Sequence, residues 1–241
     1  MCQIIGNKII RVKETVSTNS LAKKLSLKGE KEGAVIFADR QTGGRGRMGR
    51  SFFSPDGKGI YMSVILKPEN PLLVTSFASV AVLRAIKKIC DADVKIKWVN
   101  DLYLNGKKIC GILTEGVYQG EALKYAVLGI GINVKRTDFP DEIADIATSI
   151  ENETDEEISI GELKNQLIKE LDNLYKTYTD GEFLKESRIA SNVIGREIRV
   201  IKGNEQFSAK AVGIDEKGGL VINRNGEKSV IYSGEISIRF A

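Results

Sequence analysis

The segment from Gly43 to Arg50 combines four glycines with three arginines, and Met48 is its only other residue. Glycine lets backbone N–H groups approach a ligand closely and adopt conformations closed to other residues. Arginine supplies a permanently charged, forked donor suited to phosphate and carboxylate. The segment therefore predicts a loop that wraps an anion, mobile when empty and closed when filled. A flexible basic surface loop and a binder of single-stranded nucleic acid are two further interpretations.

Three other segments place polar residues or glycines where a helix or strand begins or ends. Ser17–Asn19 stands where a helix starts, and capping is its ordinary role there. Lys97–Lys108 contains the only tryptophan and an adjacent Asn-Asp pair, which solvated residues at a strand end would also explain. Gly129 and Gly131 interrupt a buried strand, which glycine weakens unless another backbone or a ligand must come close.

The dipeptide Asn105–Gly106 is the strongest short signal for a β-hairpin. A two-residue turn there pairs Tyr103 with Lys108. Asp101 then lies on the same face, so Asp101 and Lys108 become diagonal neighbours, roughly 7–8 Å apart at the backbone and within side-chain reach. They could form a modest surface ion pair or hold a magnesium–phosphate and a substrate carboxylate. The apolar arm Ile109–Leu113 favours the second interpretation, because it predicts a partly buried hairpin.

Hydrophobic periodicity predicts the elements that must position these residues. The predicted strands cover residues 34–38, 59–67, 94–98 and 125–134, and the predicted helices cover residues 14–27, 71–90 and 163–178. Residues 151–159 are predicted to be a solvated acidic loop. From about Ile189 onward, short strands alternate with turns every 8–12 residues, as in a small β-barrel. The sequence therefore predicts an α/β domain over residues 1–188 and a β-barrel domain over residues 189–241.

Composition excludes several classes of function. The chain has no histidine, which argues against the common zinc and non-haem iron sites and against any triad with an imidazole base. Its three cysteines are widely spaced and odd in number, which argues against a disulfide framework or a CxxC metal site. The net charge of +4 is too small to favour nucleic-acid binding. With neither a bilayer-spanning apolar run nor a signal peptide, the predicted location is the cytoplasm and no membrane partner is expected.

Five motifs occur in an order that carries a resemblance: ETVSTN, RQTGGRGRMGRSFFSP, GIYMSVIL, KWVNDLYLNGKKICGIL and GIGINV. Together they resemble the biotin protein ligase family, and the terminal GEISIR resembles the end of its SH3-like domain. The resemblance covers nearly the whole chain, and GRGRxGR followed by KWxNDLY is far more specific than either motif alone. It implies an α+β fold, with a mixed-sheet catalytic domain of the biotin/lipoate ligase type and a small C-terminal SH3-like β-barrel.

The resemblance implies a biotin–[acetyl-CoA-carboxylase] ligase that acts in two steps. The carboxylate of biotin attacks the α-phosphate of ATP, which gives biotinyl-5′-AMP and pyrophosphate. The ε-amine of one lysine on a biotin carboxyl carrier protein then attacks this mixed anhydride, which gives an amide and AMP. The implied ligands are biotin, ATP and Mg²⁺, and the implied assembly is a homodimer. Because the adenylate is already activated, positioning and charge stabilisation can supply most of the rate without a histidine.

The resemblance also implies a role for each matched residue. Arg45 and Lys108 are the main stabilisers of charge in both transition states. Asn100 and Asp101 belong to the nucleotide and magnesium end, with Asp101 as the metal ligand, and Asn133 lies near the adenine. The remaining matches contact the ureido end of biotin (Ser17, Thr18, Asn19 and Gln41), form the loop that closes over biotin and the phosphate (Gly44, Arg45, Gly46 and Arg47), or form the aromatic lid and the wall of the biotin ring (Phe52, Trp98, Gly111, Leu113 and Gly131).

The chain departs from the family pattern at two positions. Val99 stands where proline is frequent, and Phe52 stands where tryptophan is frequent, which gives an aromatic lid with less area. Only thirteen residues precede Glu14, so we expect a short form without the N-terminal DNA-binding domain, with no repressor function and no DNA partner. Three alternatives stay open: a lipoate ligase of the same fold, a non-enzymatic binder of single-stranded nucleic acid, and a degenerate ligase that only senses biotin.

Overall fold

The structure is a computed structural model, and it describes residues 2–202, 205–232 and 234–238. The first unit contains, in chain order, β1 (Lys8–Thr15), α1 (Thr18–Leu27), β2 (Ala34–Gln41), β3 (Gly59–Leu66), α2 (Val74–Ile89), β4 (Lys95–Lys97), β5 (Asp101–Leu104), β6 (Lys107–Gln119), β7 (Ala122–Asn133), α3 (Asp141–Ala144), α4 (Ile150–Glu153), α5 (Ile160–Tyr175) and α6 (Leu184–Ile189). The second unit contains β8 (Glu197–Lys202), β9 (Glu205–Ile214), β10 (Leu220–Arg224), β11 (Glu227–Ile231) and β12 (Glu235–Ile238).

A seven-stranded mixed sheet forms the first unit, in the order β1-β2-β3-β7-β6-β5-β4. Only the β1–β2 pair is parallel, and the other neighbours run antiparallel. The predicted strands at residues 34–38, 59–67, 94–98 and 125–134 are confirmed. The sequence missed β1, because this edge strand has no buried residue and therefore no continuous apolar run. The expected mixed-sheet α+β architecture is confirmed.

Helices cover both faces of this sheet, so β3 is buried along its whole length. On one face α2 and α5 pack together and bury Phe77 and Leu171. On the other face Ala22 of α1 packs into a second apolar cluster with Ile36 of β2 and Val127 of β7. The first residues of α1 therefore begin directly above the strands that carry the glycines.

The second unit is a five-stranded antiparallel sheet in the order β11-β10-β9-β8-β12. Its buried apolar side chains join the main core, among them Ile198, Val200, Ala211 and Leu220. The predicted change to short antiparallel strands is confirmed. The described strands form a sheet with β11 and β12 at its edges, and nothing in the described part of the chain closes it into a barrel. The boundary between residues 188 and 189 stays a prediction, and α6 runs across it.

Hydrogen bonds from Trp98 and Arg188 hold the second unit against the first, and a third joins β4 to the residue that follows α6. The indole Nε1–H of Trp98 donates to the Gly218 carbonyl at 2.9 Å. The guanidinium of Arg188 donates to the Ile214 carbonyl at 2.8 Å. The backbone N–H of Ile96 in β4 donates to the Ala190 carbonyl at 2.8 Å. The second unit therefore borders the region where the Asn-Asp segment and the hairpin lie.

The prediction of a solvated acidic loop over residues 151–159 is wrong toward both ends, because residues 151–153 belong to α4 and Ile158 is buried. Ser149 caps α4, and Glu151 is only 6% exposed. The Glu151 carboxylate accepts a hydrogen bond from Lys135 Nζ at 2.7 Å and another from the Ile158 N–H at 2.8 Å. A buried carboxylate with charged and backbone donors is stable where an unpaired one would not be. A search of the described residues found no helix with the length and apolar character needed to cross a membrane.

Candidate active site

The start of α1 supplies buried polar groups that do not serve as caps. Ser17 occupies the N-cap position in an extended conformation, and its side chain makes no capping hydrogen bond. Thr18 and Asn19, for which capping would also have been an ordinary role, already belong to the helix and are each 4% exposed. The Thr18 N–H donates instead to Gln41 Oε1 at 2.8 Å. Capping therefore does not account for Ser17–Asn19, and the side chains of Thr18 and Asn19 face the sheet.

A hydrogen-bonded network, which we call the polar floor, joins α1 to β2 and β3. It consists of Thr18, Asn19, Gln41 and Ser63. The Ser63 hydroxyl lies 2.6 Å from Asn19 Oδ1 and 2.8 Å from Thr18 Oγ1. Thr18 Oγ1 lies 3.1 Å from Gln41 Oε1. Ser63 was not predicted, although a single serine in a buried strand of mainly apolar residues was a usable signal.

Glycines on β6 and β7 make room above the sheet for three side chains. A Cβ on Gly129 would lie 2.2 Å from Asn19 Oδ1, and a Cβ on Gly131 would lie 2.5 Å from the Phe52 ring. Gly111, which pairs with Gly131, would place its Cβ 3.1 Å from Lys108 Nζ. Gly129 and Gly131 do mark a close approach, but by the side chains of Asn19 and Phe52 and not by the backbone or ligand that the sequence predicted. Lys108 crosses Gly111 in the same way.

The glycine–arginine loop folds back on itself. The Gly46 N–H donates to the Arg50 carbonyl at 2.7 Å, and the Phe52 N–H donates to the Gly44 carbonyl at 2.9 Å. Met48 at the tip has a φ of 54°, a left-handed conformation that reverses the chain direction. A Cβ on Gly44 would lie 2.5 Å from the Phe52 carbonyl, so Gly44 serves the fold of the loop.

The two arginines named for this loop point to different places. Arg45 Nη2 donates to Ser20 Oγ at 3.0 Å and lies 3.5 Å from Glu115 Oε2. Arg47 Nη1 donates to Asn100 Oδ1 at 3.0 Å, and its Nη2 donates to the Gly234 carbonyl at 2.7 Å. Arg45 therefore faces α1 and β6, whereas Arg47 spans from the Asn-Asp segment to the second unit.

The hairpin has the predicted pairing of Tyr103 with Lys108. A register shift between Leu102 and Tyr103 brings Asp101 opposite Gly111. Lys108 Nζ lies 2.7 Å from Asp101 Oδ1, so the predicted contact between this cation and this carboxylate is confirmed. Asn100 Nδ2 donates to the same oxygen at 2.9 Å. Both charged side chains are mostly covered, which makes their interaction stronger than that of an exposed pair.

Two cavities meet at this ion pair. The smaller has a volume of about 40 Å³ and lies over the polar floor, and the larger is a cleft of about 420 Å³ between the hairpin, the loop and the second unit. Both are lined by Gly46, Phe52, Asn100 and Lys108. The smaller cavity alone is lined by the predicted residues Ser17, Thr18, Asn19, Gln41, Arg45, Gly111, Leu113 and Gly131. The cleft alone is lined by the predicted residues Arg47, Trp98, Asp101 and Asn133.

Trp98 therefore lies beside the cleft and not in the wall of the smaller cavity, where it was predicted. The cleft also has apolar residues that the sequence analysis missed, because they come from a stretch without regular periodicity. Phe139, Ile143 and Ile146 line it, and the Phe139 ring lies 6.0 Å from that of Phe53. One face of the cleft is thus suited to a flat aromatic group.

The chemistry of the side chains limits what the site can do. Burial raises the pKa of the Cys110 thiol, so this cysteine stays protonated and is a poor nucleophile. Burial opposes ionisation of Glu115, but hydrogen bonds from Lys23 and Asn19 outweigh it and lower the pKa of this carboxyl. Within residues 2–202, 205–232 and 234–238, no three His, Cys, Asp or Glu side chains cluster to hold a metal ion. A cation here would need oxygen ligands from the substrate, as Mg²⁺ commonly takes from phosphates.

Comparison with protein-family models gives two matches. Residues 9–133 match the Biotin/lipoate A/B protein ligase family, and residues 193–239 match the Biotin protein ligase C terminal domain. The first match covers more than half of the chain. This chain belongs to the biotin/lipoate A/B protein ligase family. The glycine–arginine loop, the Asn-Asp segment and the hairpin all lie within that match.

Relatives and solved structures agree with the family assignment. The bifunctional ligase/repressor BirA of Bacillus subtilis is 36% identical over 98% of this chain and 75% of its own length. BirA of Escherichia coli K12 is 28% identical over 88% of this chain and 68% of its own length. The biotin protein ligase from Aquifex aeolicus, solved with biotin and ATP, superposes with a TM-score of 0.83 at 30% identity, and the match covers 98% of this chain and all of that one.

Proposed function

We propose that this protein is a biotin protein ligase, which makes biotinyl-5′-AMP from biotin and ATP and transfers the biotin to a lysine of a carboxylase carrier domain. One observation carries this proposal: Lys108 lies where a small polar-floored cavity meets a larger cleft. Such an arrangement suits two substrates that react at the junction, where a carboxylate and a phosphate would each face an ammonium group. The membership in the ligase family and the likeness to the Aquifex aeolicus enzyme support it.

Biotin fits the smaller cavity through the chemistry of its two ends. Its ureido group has both N–H donors and a carbonyl acceptor, which the amides and hydroxyls of the polar floor can pair. Its ring would lie on the flat surface of Gly111 and Gly131. The Phe52 ring now covers this surface and leaves only about 40 Å³. Ligand entry therefore requires Phe52 to move outward, and we assign it the role of a lid over the bound ring.

ATP fits the cleft. Its adenine would lie against the apolar face near Phe139 and Ile146, and Trp98 and Asn133 line the same cleft. Its α-phosphate would lie near Lys108, because the biotin carboxylate must reach it there. Held by Asp101, the Lys108 ammonium is directed at the junction of the cavities. It would neutralise charge that builds up on the phosphate oxygens as the carboxylate attacks.

We assign the loop contact with the α-phosphate to Arg47. This guanidinium lies beside Asn100 and lines the cleft, and its present partners are two neutral oxygens. Phosphate oxygens would be stronger partners for it. Arg45, to which the sequence analysis gave this role, lines the smaller cavity and faces Glu115. We assign Arg45 to closure of the loop over biotin.

Transfer to the carrier requires little further chemistry. The incoming lysine amine attacks the acyl carbon of the adenylate, and AMP leaves with the bonding electrons. Lys108 and Arg47 would stabilise the negative charge of this leaving group. Mg²⁺, if it takes part, would be held by Asp101 together with phosphate oxygens and would reduce the charge on the triphosphate. The homodimer and the cytoplasmic location stay predictions.

Mass spectrometry of a biotin carboxyl carrier domain tests the proposal. After incubation with the protein, biotin and MgATP, the carrier should gain the mass of one biotinyl group, which is biotin less one water, on a single lysine. Reactions without ATP, or with lipoate in place of biotin, should leave its mass unchanged. A lipoyl adduct would establish the lipoate alternative, and an unmodified carrier together with no pyrophosphate release would contradict the ligase assignment.

A further inference from the structure

Glu115 contacts the site without lining either cavity. Its carboxylate on β6 is mostly covered, with 21% of the side chain exposed. Asn19 Nδ2 donates to its Oε2 at 2.7 Å, and Lys23 Nζ donates to its Oε1 at 2.6 Å. Arg45 Nη2 lies 3.5 Å from its Oε2. The same carboxylate therefore contacts the polar floor, α1 and the glycine–arginine loop.

Glu115, with the shorter of two hydrogen bonds, and the Leu113 carbonyl together determine which way the Asn19 amide points. Asn19 Nδ2 faces the Leu113 carbonyl at 3.2 Å as well as Glu115, while Asn19 Oδ1 faces the Ser63 hydroxyl at 2.6 Å. A flipped amide would direct its oxygen at a carbonyl and an ionised carboxylate, which only accept hydrogen bonds. Because donors from Lys23 and Asn19 keep the pKa of Glu115 low, the carboxylate is charged at neutral pH and the flipped amide is excluded.

The orientation of the Asn19 amide has consequences for the ligand. With Nδ2 held by Glu115, the oxygen of Asn19 accepts from the Ser63 hydroxyl and lies over Gly129, which lines the smaller cavity together with Asn19. An oxygen there accepts a hydrogen bond and cannot donate one. A ligand group beside it must therefore supply an N–H. An oxygen in the ligand at that place would leave two acceptors facing each other, which is costly in a covered site.

We propose that Glu115 is a positioning residue that fixes Asn19 as an acceptor and so makes the biotin site selective for a group with N–H donors. This inference rests on the proposed function, since it takes biotin as the ligand of the smaller cavity. Glu115 itself does not touch the ligand. It acts through Asn19, and the Lys23 and Arg45 cations stabilise it in the charged form.

Calorimetric titration of Glu115→Gln tests the proposal. Glutamine keeps the shape of the side chain but can donate as well as accept, so of the two groups that oppose the flipped Asn19 amide only the Leu113 carbonyl, at 3.2 Å, stays in place. Biotin would be compared with the two analogues in which one or the other ureido N–H is replaced by oxygen. We expect the wild type to prefer biotin over at least one analogue, and Glu115→Gln to reduce that preference about tenfold. ATP affinity should stay unchanged.

Lys23→Gln is the matched control, because it removes a partner of Glu115 and leaves the carboxylate facing Asn19. Its preference for biotin should stay within about twofold of the wild type. If Glu115→Gln folds poorly beside an unpaired Lys23, the double variant with Lys23→Gln removes that cation and allows the same comparison. An unchanged preference in a folded Glu115 variant would overturn the proposal. A wild type that binds biotin no better than the analogues would also overturn it, whereas a wild type that binds none of them would contradict the proposed function itself.

Discussion

The polar floor and the glycine–arginine loop are built in opposite ways. The floor consists of side chains that are mostly buried, and Ser63 and Asn19 are bound to each other before any ligand arrives. The loop carries Arg45, whose side chain is 45% exposed, and Arg47, whose partners come from distant parts of the chain. A preorganised floor costs little conformational entropy on binding and is therefore suited to selecting the ligand. A loop that can replace its present contacts by contacts with the ligand is suited to retaining it.

Lys108 lies between these two regions, and its removal should have the largest effect. Lys108→Ala should slow adenylate formation on the order of 100-fold or more, because a positioned charge is lost where negative charge develops. Biotin affinity should fall much less than the rate, since the polar floor is untouched and only the contact of Lys108 with the biotin carboxylate is lost. Pyrophosphate release under saturating biotin and MgATP measures the rate. Lys107→Ala is the control, because Lys107 Nζ donates to the Ala144 carbonyl and lies away from the junction. A wild-type rate in Lys108→Ala would remove this lysine from the mechanism.

A comparison of the two loop arginines tests whether the loop retains the adenylate. Arg47→Ala should release biotinyl-5′-AMP at least about tenfold faster, since charge-assisted contacts with phosphate are among the strongest hydrogen bonds. Arg45→Ala should have a smaller effect on release, because Arg45 faces Glu115 and not the cleft. The retained fraction of adenylate after rapid gel filtration, and loose biotinylation of unrelated lysines, both measure release. If the two variants released biotinyl-5′-AMP equally fast, or Arg45→Ala released it faster, Arg45 would again be the main stabiliser of charge, as the resemblance implied.

Features fixed by local geometry could be predicted from the sequence. A two-residue turn at Asn105–Gly106 determines the pairing of Tyr103 with Lys108. The contact of Lys108 with Asp101 was predicted from this pairing, although the register shift beyond Tyr103 was not. The glycines in β7 predicted a close approach because glycine in a buried strand otherwise only weakens it. The change to short strands near residue 189 was visible in the spacing of turns.

Features that depend on long-range packing could not be predicted. The proximity of Glu115 to Asn19 requires β6, β7 and β3 to lie side by side in one register, which no local pattern encodes. The different directions of Arg45 and Arg47 depend on the fold of the loop around Met48. The burial of Glu151 was hidden because clustered acidic residues usually face solvent.

Gly131→Ala tests whether the biotin ring lies over Gly131, beside the polar floor. The new methyl group would lie 2.5 Å from the Phe52 ring, on the surface where we place the biotin ring. We expect biotin affinity to fall about tenfold, in line with the cost of overpacking a fitted site. Gly213→Ala in β9 is the control, because a Cβ there has no neighbour within 4 Å among the described residues. Calorimetry with biotin measures the effect, and equal affinities of both variants would argue that the ring lies elsewhere.

The smallest expected effect concerns Glu151, which belongs to neither the polar floor nor the glycine–arginine loop. Its substitution should change the stability of the fold without changing ligand binding. Because donors from Lys135, Ile158 and Arg136 outweigh the burial that opposes ionisation, the pKa of Glu151 is lowered. Its charged form therefore stabilises the fold at pH values above the pKa in the unfolded chain, about 4.3, and this stabilisation is lost as the pH falls through the lowered pKa. Glu151→Gln should lower the free energy of unfolding by about 1–2 kcal/mol at pH 7.

Urea denaturation of the wild type and Glu151→Gln at pH 7 and pH 4 measures this dependence. The difference in the free energy of unfolding between the two proteins should be constant above about pH 5. It should become smaller below about pH 4, because the unfolded chain takes up a proton there more readily than the folded one. Glu157→Gln, in an exposed part of the same acidic segment, should change stability by less than about 0.5 kcal/mol. If Glu151→Gln and Glu157→Gln lost equal stability, the acidic residues of this segment would act through their common charge. If the stability difference between the wild type and Glu151→Gln did not depend on pH, Glu151 would act through its shape. Biotin affinity should stay at the wild-type value in both, since neither residue contacts the polar floor or the loop.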